Sequence, residues 1–302
     1  DCLLSRGLGD VYKRQVPESG KCYLKFIYHL KKELPLLDED HILGFDEIEV
    51  SQKDAKCQLA EKWVEKTVTD SELQVSEDDT QIHIKGREFA YTIDRRTALF
   101  TEMKFAGREY LNHPMELNIW RAPTDNDMYI KSEWKKAHYD KAYTRAYTTE
   151  VVQGKHGVKI VSHASVVAET VQKILDVTIT WKIDASGKID ADIEAAKDGE
   201  FPDLPRFGVR MFLDKKLSDA RYFGMGPQES YRDKHQAASH GLYRANVRDL
   251  HEDYIRPQEN GSHYDCGYVE LNNSRYGMAA FSESTFSSVS YTHLRAHETR
   301  GN

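Results

Sequence analysis

The side chains in this sequence with the strongest claim on chemistry are four carboxylates in polar, proline-bearing stretches. Asp125 and Asp127 lie in Asn118-Ile-Trp-Arg-Ala-Pro-Thr-Asp-Asn-Asp127. Glu229 lies in Phe223-Gly-Met-Gly-Pro-Gln-Glu-Ser-Tyr231, and Glu259 in Tyr254-Ile-Arg-Pro-Gln-Glu-Asn-Gly261. Two carboxyls can share acid, base and nucleophile roles across a glycosidic bond when about 5 Å (retention) or about 6.5–9.5 Å (inversion) separates them. Each of the four also has a structural role open to it. Glu229 and Glu259 both follow Pro-Gln, where a carboxylate accepts neighbouring N–H groups or pairs with Arg232 or Arg256. Arg121 offers a planar donor fork, and Asp125 or Asp127 is its expected acceptor. Thr124, Asp125, Asn126 and Asp127 carry the short oxygen-bearing side chains that fold back on turns, and Asn260 follows Glu259 in the third polar stretch.

Other chemistries find less support. The histidines are scattered, and the one pair at i, i+4 spacing, His293 and His297, falls in a tail unlike the rest of the chain. Neither a Gly-x-Ser-x-Gly elbow nor a phosphate loop occurs. Gly224-Met-Gly226 is followed by Pro227 in a strand context, which argues against a dinucleotide fingerprint. Cys266 has His263 and Asp265 close by, but alternate residues of a strand face opposite ways, so the three do not converge. His83 reads as a solvent-side strand residue. Asp190, Asp192 and Glu194 read as a solvated sheet face, not a metal site. No cofactor is expected to bind this chain.

Composition sets the class. The chain has 302 residues, 39% hydrophobic and 30% charged, with a net charge of -7. Mean hydropathy is -0.68. An acidic balance argues against nucleic acid as a partner, and no apolar run approaches the roughly 20 residues of a membrane helix. Cys2, Cys22, Cys57 and Cys266 share no metal or redox spacing, which fits reduced thiols in a cytoplasmic protein.

The elements that would hold the loops are strands. Cys22–Leu30 and His41–Val50 are strand-like around a charged loop, with Phe45, Ile48 and Val50 as inward residues. Residues 51–76 read as a linker with one apolar pulse at Trp63 and Val64. From Gln81 the alternation is clean: Ile82 and Ile84, then Phe89, Tyr91 and Ile93, then a meander to Trp120. Ile130, Trp134 and Ala137 share a helical face, predicting a short helix over 130–143. Strands follow at 151–152, 158–161, 166–171 and 174–183. Ile183-Asp-Ala-Ser-Gly-Lys-Ile189 reads as a hairpin into the next strand. Val209–Leu213 and Tyr222–Phe223 bring the count to a dozen or so strands, with at most one helix. The fold class is mostly β, a large antiparallel sandwich.

The three loops, in this order and spacing, resemble the C-terminal small-chain domain of the bacterial β-galactosidases of glycoside hydrolase family 2. The segments are Trp120-Arg-Ala-Pro-Thr-Asp-Asn-Asp127, Gly224-Met-Gly-Pro-Gln-Glu-Ser-Tyr-Arg-Asp233 and Ile255-Arg-Pro-Gln-Glu-Asn-Gly261. The resemblance covers about Asp78 to Phe286 and implies a galactose-mutarotase-like β-supersandwich, preceded by part of an Ig-like sandwich. The expected organisation is 1–15 and 289–302 as adapter-like tails, 16–70 as the end of the Ig-like domain and linker, and 71–288 as a truncated supersandwich. In such enzymes the reacting glutamates sit on an upstream barrel, so none of Arg121, Asp125, Asn126, Asp127, Glu229, Arg256, Glu259, Asn260 or His263 inherits a catalytic role. They are expected to be structural or substrate-side loop residues.

The parent would hydrolyse terminal β-galactosides such as lactose with retention. It is expected to be a homo-oligomer using Mg2+ and Na+ at sites not assignable here, and the present chain alone is expected to be inactive. Two rival readings are a carbohydrate-binding module and a mutarotase-like epimerase. The epimerase would use His263 with Glu259 or Glu270 as acid and base.

Overall fold

A computed structural model describes residues 21–50 and 73–291. The chain divides into two units, Asp1–Glu65 and Lys66–Asn302. The sequence readings for residues 1–15, for Trp63 and Val64, and for His293 and His297 lie outside the described residues.

In the first unit, β1 (Tyr23–His29) and β2 (Ile42–Glu49) form an antiparallel hairpin. Leu30 donates its N–H to His41 at 2.8 Å, closing the loop between them. The Lys25 ammonium lies 4.1 Å from the centre of the Phe45 ring. Phe45 is half-buried, but the expectation that Ile48 points inward is wrong: it is 54% exposed. The reason is parity, since residues an odd number apart on a strand face opposite sides.

The second unit begins sooner than the linker reading allowed. Leu73 is buried and β3 occupies Gln74–Glu77. With β4 (Gln81–Lys85), β5 (Phe89–Asp94), β6 (Leu99–Phe105) and β7 (Arg108–Glu109) it forms a five-stranded meander. After β8 (Leu111–Asn118) come four long strands, β9 (Tyr143–Gln153), β10 (Gly157–Ala168), β11 (Val171–Asp184) and β12 (Ile189–Lys197). These make a second antiparallel sheet in the order β12-β11-β10-β9. β13 (Gly208–Leu213) returns to pair with β8. The last sheet has the order β15-β14-β16-β17, built from β14 (Asp219–Gly226), β15 (Ser239–Asn246), β16 (Ser262–Asn272) and β17 (Gly277–Val289).

Alternating apolar residues explain which faces meet. Ile82, Ile84, Tyr91, Ile93 and Phe100 from the meander share one buried cluster with Ile160, Val166, Val177, Ile179 and Trp181 from the four long strands. Each such side chain contributes roughly 1.5–3 kcal/mol by leaving water. Phe100 meets Trp181 edge-on at 4.9 Å, and the Trp181 indole N–H donates to Ala98 O at 2.8 Å. The Tyr91 hydroxyl donates to Gly187 O at 2.7 Å, so the polar ends of Trp181 and Tyr91 both have a partner. The architecture is that of a β-sandwich assembled from antiparallel sheets.

Four sequence expectations are corrected here. The described residues hold 17 strands, not a dozen or so. The helix α1 spans only Lys131–Lys136, because His138 adopts a left-handed conformation with φ 56. β10 runs unbroken through Ser162 and Ser165, and the chain then reverses at Thr170, whose φ is 61. The predicted strand 166–171 therefore crosses a turn. Finally, Phe223–Gly226 is the end of β14 and not loop. No described helix is long and apolar enough to cross a membrane.

Candidate functional site: three cross-braced loops

The first loop leaves β8 through Asn118, whose side chain donates to Trp120 O at 2.8 Å and accepts from Trp120 N at 3.2 Å. Pro123 donates no N–H, so the ladder stops. Thr124 then opens a 3-10 turn over Asp125–Asp127. Asp127 is the buried member of that turn. Its Oδ2 accepts from Thr124 N at 2.7 Å and Thr124 Oγ1 at 2.9 Å. Its Oδ1 accepts from Arg121 Nη2 at 3.0 Å, and Arg121 Nη1 lies 2.7 Å from Oδ2. Nη2 thus makes the charge-assisted hydrogen bond expected of Arg121, with Asp127 as the acceptor, while Nη1 contacts Oδ2 as an ion pair only. Asp125 and Asn126 are exposed instead. The same guanidinium lies 5.6 Å from the Trp134 ring centre, and Trp134 donates to Asp203 O at 2.8 Å.

The second loop follows β14. Tyr231 and Lys234 exchange backbone hydrogen bonds at 2.8 and 3.1 Å, and the tight turn carries Lys234 back over Glu229. Glu229 Oε1 accepts from Lys234 Nζ at 2.6 Å and from the Tyr254 hydroxyl; Oε2 accepts from Gly261 N at 2.9 Å. Lys234 also donates to the Tyr254 oxygen at 2.7 Å. Burial works against the Glu229 charge, but the donors from Lys234, Tyr254 and Gly261 outweigh it and hold the carboxyl below its usual range. The hydrogen bond to Glu229 is the largest influence raising the Lys234 ammonium. Ser230 is fully buried: its N–H donates to Ser262 O at 2.7 Å, and its hydroxyl donates to Met225 O at 3.0 Å.

The third loop, between the short turn Val247–Leu250 and β16, is organised by Asn260. Its side chain accepts from Glu252 N at 3.2 Å and donates to Gln258 O at 3.1 Å. Its carbonyl accepts from the Tyr291 hydroxyl at 3.0 Å. Gly261 has φ +67, and a Cβ there would lie 2.5 Å from Leu250 O, so only glycine fits. Glu259, 4% exposed, is paired with Arg206. Neither Arg232 nor Arg256 serves as the expected partner of these glutamates, and Arg256 is exposed.

Direct bonds join the loops. Asp125 N donates to Gln258 Oε1 at 3.0 Å, linking the first to the third, and the contact between Gly261 and Glu229 links the third to the second. Arg121 Nε donates to Pro205 O at 3.2 Å, next to the Arg206 that holds Glu259. Sequence reasoning found Arg121, Asp127, Glu229, Glu259 and Asn260, and missed Arg206, Lys234 and Tyr254. Lys234 was detectable as a cation five residues past Glu229; Arg206 is 53 residues from Glu259 and carried no local signal.

His263, 3% exposed, stacks on Tyr222 at 4.1 Å. Glu270 accepts from Tyr268 and from Asn272 Nδ2, the latter at 2.6 Å. The acid and base groups of the epimerase reading are thus sealed or committed to neighbours. Among the described residues Trp134 and Trp181 are buried, and Trp120 is half-buried with Trp134 edge-on at 6.3 Å. No group of three or more potential metal ligands occurs among the described residues.

The described residues form a β-sandwich with a cross-braced loop cluster in which Asp127, Glu229 and Glu259 are each paired with a cation. The family model for the β-galactosidase small chain matches residues 85–300, and the chain belongs to that family. It is 38% identical over 250 residues to the β-galactosidase of Actinobacillus pleuropneumoniae, covering 83% of this chain and 24% of that protein. It is 30% identical over 261 residues to that of Staphylococcus xylosus, with 86% and 26% covered. With the β-galactosidase of Lactobacillus delbrueckii subsp. bulgaricus the identity is 29% over 264 residues, with 86% and 25% covered. The chain thus spans about a quarter of the length of these curated relatives.

Proposed function

We propose that this chain supplies the small-chain part of a β-galactosidase of glycoside hydrolase family 2, as a scaffold and not as the place where the bond breaks. The observation that carries this is the commitment of its carboxylates. Asp127, Glu229 and Glu259 are each held by a cation, and only Asp125 of the four is exposed. A retaining glycosidase needs two carboxyls about 5 Å apart on either side of an accessible sugar. In this reading the reacting pair belongs to the part of the enzyme this chain does not span. The three loops face that part, and the whole enzyme hydrolyses terminal β-galactosides such as lactose with retention. The reading extends to a cytoplasmic homo-oligomer whose Mg2+ and Na+ lie at sites not assigned to this chain.

Two measurements test it. The purified chain is expected to release no chromophore from a chromogenic β-galactoside; turnover above a no-protein control overturns the scaffold reading. Residues 85–300 are also grafted in place of the matching quarter of the Actinobacillus pleuropneumoniae enzyme. The graft is expected to keep hydrolysis, and a folded, assembled graft without activity counts against the small-chain role.

A further inference from the structure

Three rings lie in succession across the last sheet: Tyr243 on β15, Tyr222 on β14 and His263 on β16. Their centroids are 5.4 Å and then 4.1 Å apart. Glycines make room beside them. A Cβ on Gly226 would come within 2.9 Å of the Tyr243 ring, and one on Gly224 within 2.5 Å of Cys266 Sγ. His263 ends the stack almost wholly buried, and neither ring nitrogen makes a hydrogen bond. A sealed imidazole with two unsatisfied nitrogens calls for a physical account.

The surroundings of His263 supply one. Two residues earlier, Gly261 N donates to Glu229 at 2.9 Å, which is the joint between the second and third loops. Ser230, the residue after Glu229, donates its N–H to Ser262 O at 2.7 Å, and its hydroxyl accepts from Tyr264 N at 2.9 Å, which brings the Glu229 loop against the backbone on both sides of His263. Glu229 is also shared with Lys234 and Tyr254. The titratable groups around the stack and its carboxylate include the phenols of Tyr222 and Tyr243, the Tyr231 hydroxyl 3.4 Å from Glu229 Oε2, the Cys266 thiol, and the His240–Asp265 pair at 2.8 Å.

We propose that His263 is an acid-sensitive latch: protonating its sealed ring draws Glu229 from the Gly261 N–H and opens the joint between the second and third loops. Burial is the largest influence on the ring and lowers its pKa below 6.5. The carbonyls of Met225 and Gln228 and the Glu229 charge pull the other way without offsetting burial, and the carbonyls lie outside hydrogen-bonding geometry. The unfolded chain therefore takes up this proton first. The folding equilibrium loses up to about tenfold per pH unit as pH falls below roughly 6.5. Glu229 itself titrates below 4.5, so its loss falls in a separate, more acidic window. The latch stands on the geometry of this chain alone and does not depend on the enzyme reading above.

The test is amide hydrogen exchange on the whole chain between about pH 4.5 and 7.5, corrected for intrinsic rates and read on peptides spanning 254–263. Protection there is expected to fall below about pH 6.5 in the parent chain. It should stay level in His263→Phe, which keeps the stacked ring and removes the titrating nitrogens. The same acid loss in both overturns the latch. Should His263→Phe fail to fold, the assigned ring Cε1–H and the Gly261 amide are titrated by NMR in the parent chain. A His263 midpoint below about 6.5 with a concurrent Gly261 shift supports the latch. A midpoint at or above that value, or a silent Gly261, overturns it.

Discussion

Arg121 donates its Nε to the carbonyl of Pro205, 84 residues further along the chain, at 3.2 Å. With the other end of the guanidinium on Asp127, this one side chain fixes two loops at once. The next residue, Arg206, fixes a third through Glu259. Asp125 N on Gln258 completes a ring of contacts that returns to the first loop.

Breaking that ring at Arg121 carries a defined cost. Arg121→Lys keeps the charge but loses the fork and the Pro205 bond, and is expected to destabilise the fold by about 1–3 kcal/mol. Arg121→Ala leaves Asp127 buried without its cation and should cost about 3–5 kcal/mol. Urea unfolding followed by tryptophan fluorescence measures both. Changes within about 0.5 kcal/mol, the range of an ordinary surface substitution, would show that the fork does not brace the loop.

The choice of partner for Glu259 separates three arginines. Arg206→Ala is expected to destabilise by about 2–5 kcal/mol, because Glu259 is left buried and unpaired. Arg232→Ala and Arg256→Ala should stay within about 0.5 kcal/mol of the parent chain. A double-mutant cycle of Arg206→Ala with Glu259→Gln should show coupling between the two sites. Additive losses would remove Arg206 as the partner.

Acid titration reads the Glu229 joint. Its folded pKa lies below the ordinary 4.5, so its contribution is complete above that value and disappears as pH falls through the folded pKa. Glu229→Gln should lower stability at pH 7 and flatten the acid limb below about 4.5. An unchanged acid limb in the variant would assign that limb to other carboxyls.

Gly224 tests the packing of β14 on β16. Gly224→Ala places a methyl 2.5 Å from Cys266 Sγ and 3.0 Å from its Cα. Overpacking of this kind is expected to cost about 1–3 kcal/mol. The cost should shrink in a Cys266→Ala background, where the sulfur is gone. An equal cost in both backgrounds would place the clash on the backbone alone.

Local pattern made much of this fold legible. Ile82, Ile84, Phe89, Tyr91 and Ile93 alternate in the sequence and are buried in the structure. The hairpin at 183–189 was readable because its turn is held by its own residues: Asp184 Oδ1 accepts from Ser186 N at 2.8 Å and Lys188 N at 3.2 Å. The misses have the opposite cause. The helix ends well short of 143: its apolar face stops at Ala137, and the left-handed backbone of His138 has no sequence pattern to announce it. Ile48 looked like core because apolar character was read without strand parity. At the loops, residue types pointed to the right carboxylates, while the partner of Glu259 came from a segment brought near only by folding.

The pairing of β10 with β11 sets Ile160 opposite Trp181 and, one step along, Lys159 opposite Lys182. A slip by a single residue would turn an aromatic layer toward water and drive ammonium groups into hydrocarbon. One codon gained inside β10 is therefore a very different event from one gained between Gly154 and Gly157, where the extra residue only lengthens an exposed bend. The length of this protein is free at its corners and frozen along its strands.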